Sequence, residues 1–175
     1  MFFKYNNHDL TEKNIYYLSM VELLNFSVIV DPIFVVCAVG SVLQEEQIDR
    51  ITIISAIILA SFGYMLSVVD AILRKITLRK RISDINKALN MDMFSVLSGK
   101  QLNESLIYKD DEWFIAVPSP ECIILNKNYI RKDIEIKSKS KILEVEVHTI
   151  DGETIRYKVN NKWKDIVDRL EKWIH

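Results

Sequence analysis

Two long apolar stretches, 21–43 and 51–73, dominate the hydropathy pattern and are joined by the polar-leaning residues 44–50. At ~1.5 Å per helical residue either could cross a hydrocarbon core of ~30 Å, so the pattern predicts a transmembrane helical hairpin. The linker carries Glu45, Glu46, Asp49 and only Arg50, whereas Arg74, Lys75, Arg79, Lys80 and Arg81 follow the second stretch. That asymmetry predicts a multi-pass inner-membrane protein with both termini cytoplasmic. Leu78, Ile82, Ile85, Leu89, Met93 and Val96 then recur at helical spacing and stop at Ser98 and Gly99, which predicts a cytoplasmic stalk over 74–99 with Gly99 as its C′ residue. The stripe can pack on the chain's own sheet or on copies of itself.

From Leu102 the period changes to two. Strands are predicted over 105–109, 113–117, 122–125, 129–137, 142–149 and 154–159, punctuated by Asp110-Asp111, Pro118-Ser119-Pro120 and Asn126-Lys127-Asn128. In the last hairpin, a three-residue loop that sets Val147 opposite Tyr157 and Glu146 opposite Lys158 satisfies both faces. A helix from about Lys162, capped by Asn160 or Asn161, presents Trp163, Ile166, Val167, Leu170, Trp173 and Ile174 to the sheet. The expected fold class is therefore an α+β membrane protein: an N-terminal two-helix transmembrane hairpin, a helical stalk and a small antiparallel β domain closed by a C-terminal helix. Its segments are 1–20, 21–73, 74–99 and 100–175.

The apolar helices carry patterned small and polar residues. Ala56, Ala60, Gly63 and Ser67, continued by Asp70, share one face; Ser27, Asp31, Phe34, Ala38 and Ser41 share another. Such faces admit close helix approach, within the hairpin or between copies of a homo-oligomer. Asp31 near the middle of the first stretch is costly there unless paired or hydrated, which marks it as a gate in the bilayer. With Pro32 it reads equally as the N-cap and first-turn proline of a broken helix.

With 175 residues and a net charge of −1, the chain has room for one modest domain beside the hairpin and is not a polycation for duplex nucleic acid. Cys37 and Cys122 lie in different segments, so no disulfide is expected. His8, His148 and His175 have no ligand spacing around them, and no phosphate loop or nucleophile motif is present. The reading is no enzyme, no metal and no cofactor. Positive charge concentrates at Lys127, Arg131, Lys132, Lys137, Lys139 and Lys141, with Ser138 and Ser140 among the lysines. This is the expected site for a multiply charged, phosphate-bearing ligand, unless the lysines simply guard a strand edge or face headgroups of the bilayer.

The layout of two N-terminal apolar helices and a β-rich module without enzyme motifs resembles the two-helix membrane effectors of prokaryotic antiphage defence that answer to cyclic oligonucleotides. The resemblance implies that the module binds the messenger and that the helices then permeabilise the inner membrane, with the lysine cluster meeting phosphates. Two other plans are also similar: a pleckstrin-homology-like adaptor that binds lipid or protein, and a toxin-immunity membrane protein.

Overall fold

The computed structural model describes residues 9–44, 50–117, 121–139 and 141–175. Its order is α1 (Glu12–Gln44), α2 (Arg50–Leu89), α3 (Met93–Val96), β1 (Ile107–Lys109), β2 (Trp113–Ala116), β3 (Ile123–Asn126), β4 (Ile130–Lys139), β5 (Ile142–Thr149), β6 (Thr154–Asn160), a 3-10 turn (Asn161–Trp163) and α4 (Lys164–Ile174). The chain divides into two compact units, one of 20–74 with 1–4 and one of 5–19 with 75–175. Both α1 and α2 contribute to both units.

In the first unit the apolar stretches are helical, with Phe34 and Phe62 rings 6.4 Å apart. The transmembrane assignment is corrected. Among the described residues no helix is long and apolar enough to cross a membrane. The membrane fold class and the multi-pass inner-membrane placement with cytoplasmic termini fall with it; an α+β fold with antiparallel sheets stands. The expected broken helix is also corrected, since α1 runs through Pro32 and Asp31 lies inside it. Asp70 pairs with Arg74 one turn on, at 2.8 Å.

The stalk is shorter than the apolar stripe implied. α2 ends at Leu89 because Asn90 adopts φ 49°, Met91 N–H donates to the Asn86 carbonyl at 3.0 Å and Asn90 N–H to that of Lys87 at 3.4 Å. This is the Schellman arrangement, with asparagine in the left-handed C′ position. Asp92 then caps α3 by accepting from Phe94 N–H. Gly99 is left-handed as expected, at φ 76°, but ends no long helix. Leu78, Ile82, Ile85 and Met93 are buried in the chain's own core with Ile15, Leu18 and the sheet residues, so the stripe packs internally. Val96 alone of the stripe is widely exposed.

Two three-stranded antiparallel sheets, β1-β2-β3 and β4-β5-β6, share that core. Strand β5 shows why: Leu143, Val145, Val147 and Thr149 are buried while the residues between them are not. The last hairpin differs in register from the expected pairing. Val147 faces Ile155, Glu146 faces Arg156 and Val145 faces Tyr157. The loop has the expected three residues but sits one residue earlier, at 150–152, closed by Thr149 N–H to the Glu153 carbonyl at 2.9 Å. Gly152 at φ 88° supplies the left-handed residue that this loop type needs, and the Thr149 hydroxyl donates to Asp151. The slip is two residues, so every side chain keeps its face.

The 3-10 turn is capped by Asn160, whose side chain accepts from Lys162 N–H, and leads into α4. Trp173 anchors that helix: its ring lies 5.6 Å from Phe114 and its Nε1–H donates to the Asp110 carbonyl at 2.6 Å. The N-terminal residues join the same unit through an Asp9–Gln101 bridge, with Leu10 N–H donating to the Lys100 carbonyl at 2.9 Å.

Arg81 ties α2 to both sheets. Its Nη2 reaches Glu121 at 3.1 Å and the Arg156 carbonyl at 3.0 Å, Nη1 reaches the Cys122 carbonyl at 3.4 Å, and the guanidinium lies 4.4 Å from the Tyr157 ring centre. Replacement by methionine should cost about 2–3 kcal/mol, combining charge-assisted hydrogen bonds with a largely covered cation–π contact. Lysine should recover less than half of that, because an ammonium cannot serve three oxygens and stack as well. Urea midpoints of R81M and R81K at an unchanged m-value check this; a wild-type midpoint for R81M would contradict it.

Candidate functional site

The lysine-rich strand does not form one converging site. Lys127 is exposed in the β3–β4 turn, with its Nζ 5.1 Å from the Trp173 ring centre. Arg131 and Lys141 are exposed at opposite ends of β4, which spans roughly 26 Å between positions 131 and 139 at ~3.3 Å per residue. Lys137 is spoken for within the sheet: its Nζ lies 3.0 Å from Glu135 and 3.1 Å from Glu146. Those two hydrogen bonds raise its pKa. Ser140 lies outside the described residues, as do the side chains of Lys132 and Lys139.

The helical set fares differently. Ala38 and Ala56 line an apolar groove of about 310 Å³ in the first unit, together with Val35, Val39, Ile53 and Ile57. Ser67 is half-buried. The side chains of Ser27, Asp31, Ser41 and Ala60, and the surroundings of Gly63, lie outside the description, as do residues 45–49, 118–120 and His8; Pro32 is exposed.

A site that the lysine count missed opens in the second unit. A cleft of about 620 Å³ is lined by the first turns of α1, one face of α2, the turn at Asn90 and the start of α3. Arg79, Ser83, Asn86, Lys87 and Asn90 supply its polar side along α2, and Tyr16 and Phe94 supply aromatic rings. The volume falls in the ordinary range of small-ligand pockets, roughly 300–1,000 Å³. Spacing explains the polar face: 79, 83, 86, 87 and 90 repeat at helical intervals beside the buried 78, 82, 85 stripe.

Electrostatics separate its cations from its carboxylates. Neither the Arg79 guanidinium nor the Lys87 ammonium has a hydrogen-bond or ion-pair partner among the described residues, although the Arg79 charge pulls down on the Tyr16 phenol's pKa. The Asp92 carboxylate is used as a cap, accepting from Phe94 N–H at 3.2 Å and from the Ser95 hydroxyl at 2.7 Å. Burial raises the Tyr16 phenol pKa, and the charge of Glu12 and a hydrogen bond to it raise it further, so Tyr16 stays neutral and holds Glu12. Asn86 Oδ1 accepts from Met93 N–H at 2.9 Å. Two uncommitted cations therefore stand about 12 Å apart along α2, at ~1.5 Å per residue, with amide and hydroxyl groups between them. The α2 half of this pattern is legible in sequence; nothing local announces that Glu12 and Tyr16 complete it.

Among the described residues, no cluster of histidine, cysteine or carboxylate side chains could hold a metal ion. His148 shares a hydrogen bond with the Thr154 hydroxyl at 3.0 Å, and Cys122 is buried, which pushes its thiol up to about 12 despite the charge of Arg81. Compared with protein-family models, curated proteins and solved structures, the chain matches none.

The committed state of the strand lysines is testable through Glu146. Hydrogen bonds from Arg156 first and Lys137 second hold its carboxyl below the usual carboxylate range. A depressed folded-state pKa contributes stability above the unfolded value and loses it as pH falls through the folded value. In an NMR pH titration, R156Q should raise the Glu146 pKa more than K137Q does. An unmoved value in both variants would break the assignment.

Proposed function

We propose that the unit of 5–19 and 75–175 is a sensor for an anionic, nucleotide-type ligand with more than one phosphate, bound in the Arg79–Lys87 cleft. One observation carries this reading: a ligand-sized cleft holds two cations without partners, with hydrogen-bonding side chains between them and aromatic rings at hand. Phosphate oxygens pair with arginine and lysine through charge-assisted hydrogen bonds, and a base stacks on an aromatic face. Two phosphates fit the cation spacing better than one. A cyclic oligonucleotide meets that description, in keeping with the antiphage effectors that the layout resembles.

The effector step falls to the first unit. Ile33, Val36, Val39, Ile54, Ile57, Ile58, Phe62 and Met65 are all exposed on α1 and α2, an apolar surface of the kind that marks an interaction site. Arg79 and five of these residues, Ile54, Ile57, Ile58, Phe62 and Met65, lie on the same helix, α2. A second reading, an adaptor of pleckstrin-homology-like plan, draws on a different observation: the antiparallel sheets are closed by a C-terminal helix. That plan favours a headgroup or protein ligand.

Thermal unfolding of the full chain separates the two. Cyclic oligonucleotides, their linear counterparts and inositol phosphates are the probes. A cyclic oligonucleotide at 100 times its Kd should stabilise the protein by about 2.7 kcal/mol. R79Q and K87Q should each weaken binding by roughly ten- to a hundredfold, as loss of a charge-assisted bond requires, while K137Q leaves it intact. A shift with inositol phosphates alone would favour the adaptor. No shift with any phosphate probe, or a shift lost in K137Q and kept in R79Q, would overturn the proposal.

A further inference from the structure

Strand β4 is an edge of its sheet, and among the described residues only β5 pairs with it. Glu135, Ile136, Lys137 and Ser138 are all exposed along it. Such an edge carries a row of main-chain donors and acceptors without strand partners, and a protein either guards it or uses it. Lysine on an edge strand is an ordinary guard. Here the guard is undone by its neighbour, because a glutamate two residues away offers the opposite charge on the same face.

We propose that β4 pairs with β4 of a second copy of this chain, antiparallel about a two-fold axis at Ile136, joining two three-stranded sheets into one of six strands. In that register Glu135 lies opposite the partner's Lys137, and Lys137 opposite the partner's Glu135. A two-fold interface must be self-complementary in this way. A shift of two residues in either direction sets Glu135 against the partner's Glu135, or Lys137 against the partner's Lys137, and like charges directly opposite are unfavourable. Over residues 135–137 the charge pattern therefore favours this register.

Two further features fit it. Within the chain Glu135 already stands opposite Glu146, a like-charge pair that Lys137 bridges at 3.0 and 3.1 Å while Arg156 holds Glu146 from the other side at 2.8 Å. A second lysine across the new seam relieves that repulsion. On the other face Ile136 is 38% exposed, although its neighbour in the row, Ile134, is only partly so. The two-fold axis covers Ile136 with the partner's Ile136. This surface shares no residue with the Arg79–Lys87 cleft, so it stands or falls without a ligand.

Cysteine cross-linking of the full chain in a C37S background tests the register. With a short bifunctional thiol reagent, I136C should form covalent dimer on the order of tenfold faster than K158C, an exposed control on the outer strand β6, because paired strands hold the thiols at high effective concentration. Adding E135K should abolish the advantage by setting lysine against lysine. Adding E135K together with K137E restores complementarity and should recover it, which separates loss of pairing from loss of folding. Equal rates for I136C and K158C, or the same rate with E135K as with the double exchange, would overturn the proposal.

Discussion

The second unit depends on how one half-buried cation is held at the edge of a mostly apolar core. Arg81 stands on α2 among Leu78, Ile82 and Ile85, which the core takes up, yet it carries a charge that burial alone would expel. Its guanidinium is accepted because oxygens come from three directions, Glu121, the Cys122 carbonyl and the Arg156 carbonyl, and because the Tyr157 ring covers one face. Glu121 and Cys122 lead into β3 of one sheet, and Arg156 and Tyr157 lie in β6 of the other. Tyr157 in turn donates its hydroxyl to the Ile124 carbonyl at 3.0 Å, so the ring that stacks on Arg81 also bonds across to β3. Burial drives that phenol's pKa well up against the pull of Arg81, and it remains a neutral donor. The helix, β3 and β6 are thus held by a single planar fork, a role lysine fills poorly.

The same sheet shows how charge spent on structure differs from charge left for ligands. On the outer face of β4, β5 and β6, Glu146 accepts from Arg156 at 2.8 Å and from Lys137 at 3.1 Å. Exposed pairs of this kind contribute little to stability, but they fix which side chains face one another. A lysine that already holds two carboxylates is a weak phosphate ligand, since it must leave them first. Counting basic residues along a sequence cannot see this, because its decisive facts are cross-strand partners.

The strands and the closing helix were legible for reasons that can be named. Alternation of Leu143, Val145 and Val147 and of Tyr157 and Val159 identified β5 and β6 and their buried faces, and Asn160 announced the start of the closing helix. The hairpin register went wrong by two residues because face parity is blind to an even shift. Thr149 and Glu153 decide it, through a closing backbone bond that no hydrophobic pattern encodes. The stalk was read too long because its apolar stripe continues across the break at Asn90. Asparagine followed two residues later by a capping aspartate was the better signal. The apolar stretches misled in another way, since length and hydropathy fix that a segment is apolar but leave open what covers it.

The cleft shows where sequence reading reaches its limit for function. Its α2 residues lie on one face of a helix whose other face is core, so Arg79, Ser83 and Lys87 could be grouped by spacing alone. Grouping does not make a site. What makes one is the N-terminal turn, brought alongside by Leu10, Ile15 and Leu18 entering the core, which sets Glu12 and Tyr16 beside residues about seventy positions away in sequence. The same packing binds Glu12 to Tyr16 and commits Asp92 to a helix cap, so both carboxylates of the cleft are engaged while its cations are not. The cations of the cleft are thus left without a carboxylate partner by the same packing that gives its carboxylates neutral donors.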